Sequence, residues 1–169
     1  MAKGLQKGLM GSLANASPAI FTIFLILFIR VPFEDSDAGM FIPTFSLVFT
    51  YYFRLHFPQY ARLWLIFLLG LLEDFLGGGY LGLTSLILLL VSALFERRRN
   101  IFLQGSFLTE IFIFTFFSLA ISVVYWILAS FIMAELLPGL PFFFQGLMTA
   151  LVFPLYVFLI GRINKRVSI

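Results

Sequence analysis

Two neighbouring carboxylates, Glu73 and Asp74, interrupt two of the most apolar runs of the chain, and a triple glycine, Gly77-Gly78-Gly79, follows closely. The chemistry open to such a pair is proton transfer, one acid donating while the other accepts. Adjacent positions are poor geometry for flanking a single bond, however, and no third group accompanies them. His56 is the single histidine. Beside Arg54 and Pro58 it reads as a solvated loop residue with a structural role. The chain has no cysteine, which excludes disulfides, thiolate catalysis and thiolate metal sites. There is no nucleophile motif, no metal-ligand cluster and too little soluble mass for a catalytic domain. The residues therefore argue against an enzyme, and neither a cofactor nor a metal is expected.

The two acids ask instead for a reason to be where they are. Leu63 to Leu72 is an uncharged run of ten residues, about 15 Å of helix, whereas a bilayer's hydrocarbon core is about 30 Å thick. The next run, Leu81 to Phe95, reaches only about 22 Å. The Glu73–Tyr80 linker is therefore expected to dip below the membrane surface. An ionised aspartate at mid-helix costs about 2.5–3.5 kcal/mol on insertion scales, so lipid exposure is unfavourable. Irregular backbone at that depth survives only inside protein or beside a water-filled cavity. The expectation is an outward-facing recess roofed by Gly77, Gly78 and Gly79. One of the two acids points into it and the other toward the interface, because adjacent helical residues diverge by about 100°. Thr84 and Ser85 are the expected caps of the next helix. Gly78 and Gly82 form a small-x-x-x-small pair that lets helices approach. The plainer reading makes both acids interface charges and the glycines a tight turn.

Helices must position these residues. At 62% hydrophobic and 11% charged, the composition is that of a polytopic α-helical membrane protein. Runs such as Leu86-Ile87-Leu88-Leu89-Leu90-Val91 do not alternate, which excludes a β-barrel. The 24 phenylalanines are scattered over every span and read as lipid-facing and inter-helix filler. A net charge of +3, dispersed among apolar segments, does not suggest nucleic acid. Residues 1–17 are weakly amphipathic, with Lys3 and Lys7. Cleavage near Ser36-Asp37-Ala38 is not expected, since the leader would be unusually long. Six spans are expected, at 18–33, 39–53, 60–73, 81–95, 107–133 and 142–160, forming one transmembrane domain over 1–169. Pro154 lies inside the last span and is expected to kink it statically, shaping the bundle. Lys3, Lys7, Arg54, Arg62, Arg97–Arg99, Arg162, Lys165 and Arg166 fall at alternate ends of successive spans. The positive-inside rule then puts both termini in the cytoplasm and the acid-bearing turn outside.

Gly70-Leu71-Leu72-x-Asp74, the glycines after it and Leu81-Gly82-Leu83 together resemble the signature of the MreD family of rod shape-determining membrane proteins. The last span is similar too, with Pro154 at mid-helix and the basic tail Arg162-Ile163-Asn164-Lys165-Arg166. The triple glycine is richer in glycine than the usual family turn. The resemblance implies a non-enzymatic, multi-pass protein of the bacterial cytoplasmic (inner) membrane, acting in cell-wall elongation. It implies direct binding of MreC, indirect work with MreB and the glycan polymerase–transpeptidase pair, and contact with membrane lipids. The sequence leaves a homodimer open. The family is also similar in fold to the substrate-binding subunits of energy-coupling-factor transporters, so an alternative function is a small-ligand-binding transporter subunit. Against it, Ala14, Ala16 and Ala19 lack the regular alanine spacing with which such subunits dock their partner.

Overall fold

A computed structural model describes residues 19–28, 42–58, 61–77, 80–102 and 106–167, without the side chains of 97–102 and 161–167. Regular structure among these residues is all helical. The helices are α1 Ala19–Phe28, α2 Phe45–His56, α3 Leu63–Leu76, α4 Leu83–Phe102, α5 Phe107–Met133 and α6 Gly139–Val167.

Helix α3 shows how pattern becomes packing. Its buried residues, Ile66, Leu69, Gly70, Glu73 and Asp74, recur at the three- and four-residue spacing of one helical face. The opposite face exposes Leu63, Trp64, Phe67 and Leu68. Gly70 lets α4 come close: a Cβ there would lie 2.7 Å from the Ser85 Cα. The Ser85 hydroxyl donates to the Phe67 carbonyl at 3.0 Å across the same crossing.

Helices α3 and α2 both pack on α4, while α5 packs chiefly on α6. The α5–α6 contact is also tight. The Ser118 hydroxyl donates to the Gly146 carbonyl at 2.9 Å, and a side chain at Gly146 would run into Ser122. The two groups of helices meet around Tyr51, whose ring lies 4.9 Å from Phe95, 4.8 Å from Phe114 and 5.4 Å from Phe153. One aromatic cluster thus joins α2, α4, α5 and α6. Helix α1 is tied to α6 by a 2.7 Å hydrogen bond between the Thr22 and Tyr156 hydroxyls.

Outward-facing positions stay apolar. Phe112, Phe116 and Phe131 of α5 are at least 75% exposed, as on a surface made for lipid or a partner rather than water. Among the described residues, two helical stretches, Phe107–Met133 and Gly139–Ile160, are long and apolar enough to cross a membrane.

The boundaries differ from expectation in physically readable ways. Residues 42–44 are not helical and α2 starts only at Phe45, because Pro43 pushes its predecessor out of the helical region. Helix α3 runs to Leu76, so Glu73 and Asp74 sit in its last turn rather than in an irregular linker. Helix α4 is not short: its 20 residues span about 30 Å, although its apolar part is only Leu83–Glu96. Helix α6 starts at Gly139, three residues before the expected span, with Pro141 in its first turn, where a missing amide costs little. Pro154 stands inside α6, which continues to Val167. The expected boundaries at 18, 33, 39 and 60 lie outside the described residues.

Candidate functional site: an acid-lined cavity at one end of the bundle

The N-termini of α2, α4 and α6 and the C-termini of α3 and α5 converge at one end of the bundle, around a cavity of about 390 Å³. Two helix starts here lack a cap of their own. Thr44 precedes α2 without a side-chain cap bond, and α4 begins directly after a turn. Helix α3 supplies what both need.

Glu73, 1% exposed, reaches the start of α2. Its Oε1 accepts the Phe45 amide at 3.1 Å, and its Oε2 accepts the Ser46 amide at 3.2 Å and the Ser46 hydroxyl. Asp74, 3% exposed, does the same for α4: its Oδ2 accepts the Gly82 amide at 2.8 Å and the Thr84 amide at 3.1 Å. Gly82 makes that convergence possible. Its φ of 92° lies where a side chain is strained. Each carboxylate is thus buried against the amides of a helix start, where the helix dipole favours negative charge. Charge-assisted bonds of this kind contribute about 1.5–3 kcal/mol each, and they offset the desolvation that burial imposes.

The expected division of the acids, one in a recess and one at the interface, is therefore corrected. Both are buried on one face of α3, and each caps a different helix. Thr84 and Ser85 do not cap α4 with their side chains. Thr84 offers its amide to Asp74, while the Ser85 hydroxyl is turned to α3. Of the expected pocket residues, Glu73, Asp74, Gly77 and Thr84 line the cavity and Gly82 does not. Gly78 and Gly79 lie outside the described residues. The rest of the wall is largely apolar or aromatic, including Leu47, Ile87, Tyr80, Tyr125 and Phe142. Thr149 closes one side: its hydroxyl accepts the Thr44 amide at 2.9 Å and donates to the Gln145 carbonyl at 2.7 Å, linking α2 to α6.

The opposite end of the bundle holds polar contacts that the sequence reading missed. His56 is not a solvated loop residue. It is the last residue of α2, and its Nε2 lies 2.8 Å from Oε1 of the largely buried Glu110 at the start of α5. Arg54 is also buried. Its Nε donates to the Ser92 hydroxyl at 2.5 Å, and its guanidinium lies 3.5 Å from Glu96. The available signal was Glu110, an isolated acid in the first turns of an apolar helix, which needs a partner. Among the described residues there is no cluster of His, Cys, Asp and Glu that could hold a metal.

Helices throughout the described residues, an apolar exterior and, among those residues, two helices of membrane-crossing length point to the class of helical membrane-associated proteins. The chain belongs to the MreD family, matching the rod shape-determining protein MreD over residues 12–163. It is also similar to an uncharacterized protein of Rickettsia prowazekii (strain Madrid E), 27% identical over 131 residues, which cover 78% of this chain and 75% of that protein. No solved structure matches the chain.

Proposed function

We propose that this protein is a non-enzymatic component of the bacterial cell-wall elongation machinery that maintains rod shape by binding MreC. In this reading it crosses the cytoplasmic membrane six times with both termini inside. It links MreC to MreB and to the glycan polymerase and transpeptidase. The observation that carries the reading is the family match over nearly the whole chain. The alternate-end distribution of Lys and Arg supports the orientation, with the acid-lined end facing out. Arg54, being buried, contributes less to that bias than Arg62.

The test is complementation in a rod-shaped host depleted of its own MreD. The expected outcome is recovery of rods and co-purification of MreC with the tagged chain. Round cells containing normally inserted chain, with no MreC retained, would overturn the reading. The alternative, a ligand-binding transporter subunit, draws on the cavity. Normal rods with impaired uptake of a small solute on loss of the chain would favour it.

A further inference from the structure

Charge on the cavity wall is already committed. Glu73 and Asp74 hold the starts of α2 and α4, so neither acid is left over to pair with a guest. No Lys, Arg or His among the described residues lines the wall. A charged guest would therefore give up its hydration without finding a free counter-charge. What the wall does offer is two uncharged polar groups that the fold leaves unused. Thr84 is 8% exposed and lines the cavity, and among the described residues its hydroxyl has no hydrogen-bond partner. Its amide alone serves the cap. The side-chain amide of Gln145, on α6, also lines the cavity and is likewise unpartnered among the described residues. The hydroxyls of Thr50 and Tyr51 lack partners too, but they are sealed in the core, where no guest can reach them. The remaining wall is largely apolar or aromatic, and a volume of about 390 Å³ falls within the roughly 300–1,000 Å³ of small-molecule pockets.

We infer that the cavity is a binding site for an uncharged, hydroxyl-bearing molecule with an apolar or aromatic body. A hydroxyl both donates and accepts, and so do the Thr84 hydroxyl and the Gln145 amide, so one small head can satisfy both wall groups. Leu47 and Ile87 offer apolar contact to the body, and Tyr80, Tyr125 and Phe142 offer aromatic faces. The same chemistry is found in a free aromatic or aliphatic alcohol and in the glycerol head of an uncharged lipid. The site goes beyond partner binding and does not depend on it.

The test uses the full chain in nanodiscs of dioleoylphosphatidylcholine, because a maltoside detergent would itself present hydroxyls. The probe is trifluoromethyldiazirinyl benzyl alcohol, photolysed in place, with the labelled residues mapped by mass spectrometry. The expected result is saturable labelling of cavity-lining residues, displaced by phenylpropanol at concentrations at least tenfold below those of phenylpropylamine or phenylpropionate. Thr84→Val keeps shape and the backbone cap while removing the free hydroxyl, and Gln145→Leu removes the free amide. Each should raise the half-saturating probe concentration about three- to tenfold, as loss of one hydrogen bond implies. Ile121→Trp fills the cavity without touching either carboxylate and should raise it at least tenfold. Including dioleoylglycerol in the nanodiscs separates the sources: loss of the saturable labelling assigns the site to the glycerol head of a lipid, and its persistence to a free alcohol. Labelling that never saturates, that falls elsewhere on the chain, that amine or acid displaces as well as alcohol does, or that ignores all three variants overturns the inference.

Discussion

At Gly82 the backbone takes a φ of 92° with open space where a Cβ would go, whereas Gly70 has its Cβ space filled by Ser85. The two glycines are needed for different reasons, and substitution separates them. Gly82→Ala should lower stability in detergent by about 1–2 kcal/mol through backbone strain alone, and thermal melting measures it. Gly70→Ala should cost at least as much through overpacking, in the range of about 1–3 kcal/mol or more. Because the nearest atoms to that Cβ include the Ser85 Cα and amide nitrogen, Ser85→Gly should not restore stability. Full rescue by Ser85→Gly would show that the contact is only with the hydroxyl. At Asp74, Asn retains an acceptor for the Gly82 and Thr84 amides while Ala does not. Asp74→Asn should therefore melt above Asp74→Ala, because Ala leaves buried amides orphaned at about 1–3 kcal/mol each. Equal melting of the two variants would argue against the cap.

Between elements, His56 and Glu110 tie the end of α2 to the start of α5, a region where apolar contact between the two helix groups is otherwise concentrated around Tyr51. A double-mutant cycle with His56→Ala and Glu110→Gln should give a coupling of about 0.5–3 kcal/mol in unfolding free energy, and additivity within error would mean no functional tie. These contacts also mark how far the sequence could be read. Helix class, the apolar runs and the position of α5 follow from hydropathy, because a long uncharged run has few other solutions. Pairings across the bundle do not. Glu73 finds Ser46 and Glu110 finds His56 at sequence separations of 27 and 54, and no local pattern fixes such distances. The acids were legible as costly and in need of shelter. That they would shelter by capping two different helices was not, since the uncapped starts at Phe45 and Leu83 become visible only once α3 lies between them. Thr84 stands at a helix start, where serine or threonine usually caps with its side chain, and here Asp74 takes that place.

Over the whole molecule, what weakens α3 as an isolated segment strengthens it as part of the bundle. Its 14 residues cover about 21 Å, short of a hydrocarbon core of about 30 Å, and its last turn carries two acids that oppose insertion. Helices α5 and α6 have no such handicap, being long and apolar enough to cross unaided. The α5–α6 hairpin should therefore insert alone, whereas α3 should depend on α2 and α4 for the donors that its acids need. Replacing Glu73 and Asp74 together by leucine separates the two effects. In an insertion assay that presents α3 alone in a host protein, the double variant should insert much more efficiently than the parent segment. In the full-length protein the same change removes the caps of α2 and α4 and leaves the amides of Phe45, Ser46, Gly82 and Thr84 without acceptors. The full-length variant should then melt well below the parent, by several kcal/mol, because each buried donor left unsatisfied costs about 1–3 kcal/mol. A double variant that both inserts better and melts higher would mean that the acids are kept for something other than the fold, and would shift their weight to whatever occupies the cavity.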